Sequence, residues 1–194
     1  MHEQTPRPFS AHEAPHRVFT IGHSTRTLEA FLALLQTHGI ERLIDVRRFP
    51  GSRRHPQFAQ AQLDASLRDA GIDYRWLPEL GGRRAPRKDS VNTAWRNAGF
   101  RGYADYMETD AFKAGLEHLL ALSAEKCSAY MCAEQAWQQC HRGLISDVLK
   151  WRGIEVIHIV GAERTQLHPY TEPARILDGK LAYSAQDAQR ELGL

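Results

Sequence analysis

The sequence contains no long apolar run, few cysteines and almost no excess of charge of either sign. A membrane-spanning helix needs roughly 20 consecutive apolar residues, and no segment of the chain approaches that length, so we expect no membrane partner. The three cysteines are an odd number, which argues against a disulfide framework and favours a reducing cytoplasm.

Several motifs that would name a reaction are also missing. The chain has no P-loop, no GxGxxG, no GxSxG and no Cys-x5-Arg phosphate loop. Any function therefore has to be inferred from where the polar residues gather in the fold.

The chain length and its first residues predict the domain organisation. Residues 1–16 are polar, contain prolines and lack the apolar core of a signal peptide, so we expect a mobile polar tail there. The remainder, 17–194, fits one domain with a substantial core. The sequence does not indicate an oligomeric state.

Charge is distributed unevenly, although the net charge is only +2. Residues 41–101 hold thirteen Arg and Lys against seven Asp and Glu, and twenty of the 25 cations in the chain are arginine. Arginine suits phosphate and carboxylate recognition, but a solvated basic face or GC-rich coding explains the pattern equally well. As nucleic-acid-binding candidates we take Arg48, Arg54, Arg83 and Arg84.

Hydrophobic periodicity predicts an alternation of strands and helices. The predicted strands cover 17–24, 41–49, 72–80, 127–133 and 154–161. The predicted helices cover 27–39, 59–71, 103–126 (one short and one long), 140–153 and a short final one at 185–192. This order favours a single Rossmann-like three-layer α/β domain, with a mainly parallel sheet of about five strands and helices on both faces.

Polar residues follow nearly every predicted strand, where open parallel sheets bind their ligands. The catalytic candidates are His23, Asp45, Cys132 and Glu134. The phosphate- or anion-binding candidates are Ser24, Arg47, Arg53, His141 and Arg142. A helix start at His141 favours anions through its free N–H groups and partial positive charge.

Each candidate also has a purely structural interpretation. Cys132 is either a nucleophile or a small buried filler, and we expect Cys140 to pack under its helix. Glu134 and Asp45 serve either in proton transfer or in ion pairs with arginine. His158, inside an apolar strand, is typical of a satisfied core histidine. Cys132, Glu134, Cys140 and His141 offer metal-ligand atoms, but their spacing is not that of a structural zinc site, so we predict no metal and no cofactor.

Five separated motifs carry a family resemblance. "TIGHST", "LIDVRRFPGSRRHPQF", "LPELGG", "GYADYM" and "MCAEQAWQQCHRGLISDVL" resemble the family called domain of unknown function 488, over roughly Val18 to Tyr183. The resemblance implies a small bacterial α/β protein with no assigned reaction. The positions that match are His23, Ser24, Asp45, Arg47, Pro50, Ser52, Arg53, Phe58, Glu79, Cys132, Glu134, Cys140, His141 and Arg142.

These residues favour an enzyme acting on a phosphate-bearing substrate, either a nucleotide or nucleic acid, at a phosphate or an adjacent glycosidic bond. A second hypothesis is a binding module for the same ligands without chemistry. A third is a thiol-redox protein that uses Cys132.

Overall fold

A computed structural model of the protein describes residues 17–51 and 54–185. The expected polar tail at 1–16 and all but the first residue of the expected final helix at 185–192 lie outside these ranges. In chain order the elements are β1 (Arg17–Gly22), α1 (Leu28–Thr37), β2 (Arg42–Asp45), α2 (Gln60–Asp69), β3 (Asp73–Trp76), α3 (Ala98–Met107), α4 (Asp110–Glu125), β4 (Ser128–Cys132), α5 (Arg142–Trp151), β5 (Glu155–Gly161), β6 (Arg164–Leu167), β7 (Arg175–Leu177) and β8 (Lys180–Ala182).

The central sheet has the strand order β3-β2-β4-β1-β5-β6. The first five strands in this order are mutually parallel, and β6 runs antiparallel to β5 at one edge. A separate antiparallel hairpin joins β7 and β8. The predicted α/β class with a mainly parallel sheet is therefore confirmed.

Alternate residues of the central strands enter two separate cores, one on each face of the sheet. In β4, Ala129 and Met131 pack with α1 and α2, whereas Tyr130 and Cys132 pack with α3, α4 and α5. All five residues of β4 are buried, as expected for a parallel strand covered on both faces. Because the two sides carry helices, ligands can reach the sheet only at its ends and edges.

Several predicted boundaries differ from the structure. The strand predicted at 41–49 ends at Asp45, and the one predicted at 72–80 ends at Trp76 before a short helical turn that begins at Pro78. The predicted short helix begins earlier, at Ala98, because the Asn97 side chain accepts hydrogen bonds from the first backbone N–H groups. Among the described residues, no helix combines the length and apolar character needed to cross a bilayer.

The fold brings the carboxyl ends of β1, β2 and β4 together. In β4, Met131 pairs with Asp45 of β2 and Cys132 pairs with Gly22 of β1. The segments that follow these three strands therefore begin side by side at one end of the sheet.

Candidate functional site

A cavity of about 310 Å³ opens at this end of the sheet. Its wall includes the side chains of Arg48, Phe49, Arg83, Tyr103, Glu134 and His141, together with both buried thiols, Cys132 and Cys140. A second cavity, of about 700 Å³, is lined mainly by Trp95, Phe100, Trp137 and neighbouring loop residues. The first cavity is lined by several of the predicted polar residues, so we treat it as the candidate site.

Two thiols and one imidazole form a compact group in the cavity wall. We call Cys132, Cys140 and His141 the thiol–imidazole cluster. The Nδ1 atom of His141 lies 3.9 Å from Sγ of Cys132 and 3.7 Å from Sγ of Cys140. The Glu134 carboxylate joins the group, because the Cys132 thiol donates to its Oε2 at 3.1 Å. Strand β4 supplies Cys132, and the turn before α5 supplies Cys140 and His141.

The two thiols differ in their tendency to ionise. The neighbouring Cys140 thiol, burial and the charge of Glu134 raise the pKa of Cys132 well above its usual value. Burial also opposes ionisation of Cys140, but the neighbouring Cys132 and the charge of Arg142 outweigh it and lower the pKa of Cys140. These directions favour Cys140 over Cys132 as the thiol that ionises, and the nucleophilic role of Cys132 suggested by the sequence remains a prediction.

The orientation of His141 is determined by contacts on both sides of its ring. Its Nε2–H donates to the backbone carbonyl of Val46 at 3.2 Å, and its ring lies 5.0 Å from that of Tyr103. The Tyr103 hydroxyl in turn donates to the Leu80 carbonyl. These contacts direct the lone pair of Nδ1 towards the two sulfur atoms.

A second polar group consists of Arg47, which also lines the cavity, and Asp45. Asp45 is fully buried and accepts hydrogen bonds from the guanidinium and backbone N–H of Arg47 and from the Tyr74 hydroxyl. Arg47 also donates to the Phe58 carbonyl. These contacts use most of the hydrogen-bonding capacity of both charged groups. Their predicted roles in proton transfer and anion binding remain predictions, and the geometry favours a structural ion pair.

His23 lies next to this ion pair and is also buried. Its Nδ1–H donates to the Ser24 carbonyl, Nε2 lies 3.3 Å from Arg47, and its ring stacks on Phe58 with centroids 4.2 Å apart. Burial is the main reason that the pKa of His23 is lowered to about 4. A neutral His23 accepts from Arg47 and donates its one N–H to the Ser24 carbonyl. Its catalytic role remains a prediction.

Arg142 lies behind the cavity wall. The whole residue is only 1% exposed. Its guanidinium donates to the Thr20 hydroxyl at 2.9 Å and to the backbone carbonyls of Glu134 and Gln135 at 2.6 and 3.3 Å. It therefore shapes the loop that carries Glu134, and the structure does not support the expected direct contact with an anion. Gly22 is required here, since a Cβ at this position would collide with the Glu134 carbonyl.

The remaining predicted residues separate into two groups. Arg48 and Arg83 line the cavity, and Arg48 donates to the Arg83 carbonyl at 3.0 Å. Arg84 instead stacks on Tyr106, with its guanidinium carbon 3.6 Å from the ring centroid. Arg54 is exposed, and Arg53 lies outside the described residues.

The Ser24 backbone has a left-handed conformation, with φ 51°, and its N–H donates to the Ala133 carbonyl. Ser24 therefore links the loop after β1 to the loop after β4, where Glu134 lies. Phosphate binding by Ser24 remains a prediction.

Sequence reasoning missed several residues that shape the site. Gly82 passes so close to His141 that a Cβ there would lie 2.8 Å from Nδ1. Asp105 organises the basic loop by accepting from the Arg87 backbone and from the side chains of Ser90 and Asn92. Of these residues, only Gly82 could have been noticed in the sequence, because it forms a pair with Gly81 directly after a predicted strand.

A buried chain of hydrogen bonds starts from Asp147, in the middle of α5. We call Asp147, His168 and His158 the Asp147 chain: His168 joins Asp147 at 3.0 Å and His158 at 2.9 Å. Asp147 also accepts from Thr171 and from the Tyr183 hydroxyl. The His158 ring stacks on Trp137 with centroids 4.6 Å apart. The prediction that His158 is a satisfied core histidine agrees with its burial and with the partner of Nε2, but its Nδ1 has no hydrogen-bond partner among the described residues.

Comparison with known proteins places the chain in a family. The sequence model of the family described as "Domain of unknown function DUF488" matches residues 27–149, which include the cavity residues named above. The protein belongs to this family. No curated protein and no solved structure matches the chain.

Proposed function

We propose that the protein is an enzyme that acts on a phosphate-bearing substrate, a nucleotide or nucleic acid, bound in the 310 Å³ cavity. The observation that carries the proposal is one shared wall in which Glu134 and two thiols lie beside three arginines: Arg47, which is paired with Asp45, and the exposed Arg48 and Arg83. A ligand bound in this cavity would contact both the carboxylate that moves a proton and the arginines that bind its phosphate.

Glu134 is the group best placed to move a proton. It is exposed, its carboxylate contacts the Cys132 thiol, and Arg142 holds the carbonyl of the same residue in place. A carboxylate on a fixed loop beside a cavity suits general acid–base catalysis. Asp45, by contrast, is surrounded by protein donors, so we assign proton transfer to Glu134.

Arg48 and Arg83 are the anion-binding groups of the proposal. Cations beside a cavity attract a negatively charged ligand, and the arginine side chain matches phosphate geometry. The exposed ring of Phe49, beside the Arg48 guanidinium at 5.3 Å, offers a surface on which a base can stack. These features favour a nucleotide over a simple phosphate ester.

The test is turnover of a panel of nucleotides and short oligonucleotides by the wild type and by Glu134→Gln. We expect the substitution to lower kcat by about 100-fold or more with little change in binding, because it removes a proton and leaves the arginines in place. Arg83→Gln should raise KM more than it lowers kcat. Arg164→Gln, the same substitution on an exposed strand at the far edge of the sheet, is the matched control.

A binding module without chemistry is the second candidate, and the exposed Phe49 beside Arg48 suits it equally, because base stacking and anion contact require no reaction. In that case the panel binds with a steep dependence on salt, no member is turned over, and Glu134→Gln binds as the wild type does. That set of results would overturn the enzymatic proposal.

A further inference from the structure

The geometry points to a transition-metal site, best suited to Zn²⁺, formed by Sγ of Cys132, Sγ of Cys140 and Nδ1 of His141. The three ligand atoms all lie within 4.8 Å of one another. Two thiolates and an imidazole are ligands that zinc prefers. This inference revises our expectation from the sequence, where the ligand spacing argued against a metal.

The distances fit tetrahedral coordination. With Zn–S near 2.3 Å and Zn–N near 2.0 Å, a tetrahedron has sulfur–nitrogen edges of about 3.5 Å. The observed edges from Nδ1 are 3.9 Å to Cys132 and 3.7 Å to Cys140. Small side-chain movements would therefore close the three atoms around an ion.

The surroundings of His141 supply a second, independent argument. A histidine that binds a metal usually donates its other ring N–H to a carbonyl or carboxylate, which fixes the tautomer and aims the free lone pair. His141 does this through Nε2–H and the Val46 carbonyl. The absence of a side chain at Gly82 also keeps the region next to Nδ1 clear.

The arrangement resembles a catalytic metal centre more than a structural one. Structural zinc sites are closed by four protein ligands, whereas catalytic sites use three and leave one position for water or substrate. The three atoms lie in the wall of the cavity, and Glu134 is adjacent, 3.1 Å from Cys132. A metal there would lower the pKa of a bound water, and Glu134 could accept the proton. This last role rests on the proposed function, but metal binding does not.

The test is titration of the full-length, fully reduced protein with Co²⁺ and then with Zn²⁺. We expect one Co²⁺ per chain, with the strong visible absorption of a tetrahedral ion and the charge-transfer band of thiolate ligands, displaced by one Zn²⁺. Because changes next to a ligand already cost 10–100-fold in affinity, Cys132→Ser and Cys140→Ser should each weaken Zn²⁺ binding by at least about 100-fold. Cys127→Ser, the third free cysteine, is the matched control.

Two results would overturn the inference. One is that the reduced wild type binds neither ion stoichiometrically, including the case in which it only forms a Cys132–Cys140 disulfide on oxidation. The other is that Cys132→Ser and Cys140→Ser, shown by circular dichroism to be folded, bind Zn²⁺ as tightly as the wild type.

The failure of this inference is distinguishable from the failure of the proposed function. Zn²⁺ binding that depends on the cluster, without turnover of any panel member, would support the metal site and reject the enzyme. Turnover of a panel member by a reduced wild type that binds neither Co²⁺ nor Zn²⁺ stoichiometrically would reject the metal site and support the enzyme. Glu134→Gln separates the two further, because it should keep the bound Zn²⁺ and lose turnover.

Discussion

Two histidine-containing clusters involve α5, one at its N-terminus and one at Asp147 within it, and they differ in how many of their polar atoms are hydrogen-bonded within the protein. In the Asp147 chain the carboxylate accepts four hydrogen bonds, from His168, Thr171 and Tyr183, although Nδ1 of His158 has no hydrogen-bond partner among the described residues. In the thiol–imidazole cluster, Nε2 of His141 donates to the Val46 carbonyl and the Cys132 thiol donates to Glu134, while Nδ1 of His141 and both sulfur atoms meet at a cavity. The first arrangement is typical of a structural core and the second of a binding site.

This contrast separates two roles that histidine and carboxylate residues can have. Buried polar groups stabilise a fold when every donor and acceptor is paired. Groups that remain under-coordinated beside a cavity contribute less to stability and are available to a ligand. The comparison therefore predicts that substitutions in the Asp147 chain mainly affect folding, whereas substitutions in the thiol–imidazole cluster mainly affect function.

The largest effect on stability should come from Asp147→Asn. The carboxylate accepts hydrogen bonds from His168, Thr171 and Tyr183. The NH₂ group of asparagine cannot accept a hydrogen bond, so at least one of these buried donors would lose its acceptor. We expect a loss of at least about 3 kcal/mol in the free energy of unfolding, measured by urea denaturation. Asp64→Asn, which breaks the exposed pair with Arg68, should cost less than about 1 kcal/mol. A comparable loss in both variants would contradict the proposed contrast.

The sequence predicts those strands and helices whose burial is visible as a local pattern of apolar residues. The apolar run at 154–161 predicts a buried strand, and β5 forms there. By contrast, β6 has only exposed residues, so no periodicity marks it. Its position at the edge is determined by pairing with β5, which local pattern does not encode.

The candidate site shows the same division. The rule that ligands bind beyond the carboxyl ends of parallel strands predicts where Cys132 and Glu134 lie. It does not predict that Arg142 points inward to Thr20, because a charged side chain at a helix start has the same sequence signature in either orientation. The participation of Cys140 depends on the helical turn Trp137–Gln139, and the pairing of Asp147 with His168 depends on tertiary contact across α5.

The second largest effect is a dependence of the free energy of unfolding on pH, which arises from His158 in the Asp147 chain. Burial, together with the charges of His168 and Arg142, lowers the pKa of His158 from 6.5 to about 2. Below pH 6.5 the unfolded chain therefore binds a proton at this residue that the folded chain does not, so stability falls as the pH falls. Between pH 7.5 and 5 this should cost about 2 kcal/mol.

His23, with its pKa lowered to about 4, should add a similar loss over the same interval. In His158→Phe, where the aromatic ring still faces Trp137, we expect lower stability at pH 7.5 but about half of the wild-type loss on acidification. Urea denaturation at both pH values measures this. An equal loss in variant and wild type would show that His158 is protonated in the folded protein, contrary to its assignment to a closed core.

The smallest effect on stability should come from the cluster at the cavity. Cys132→Ala removes one sulfur atom from a cavity wall, where neighbours and solvent can adjust, so we expect a loss of about 1 kcal/mol. Cys127→Ala, at a half-buried position before β4, should cost no more. Urea denaturation of both variants gives the comparison with Asp147→Asn. If Cys132→Ala instead lowered the free energy of unfolding by about 3 kcal/mol or more, Cys132 would be a structural core residue. The proposed difference between the two histidine clusters would then be wrong.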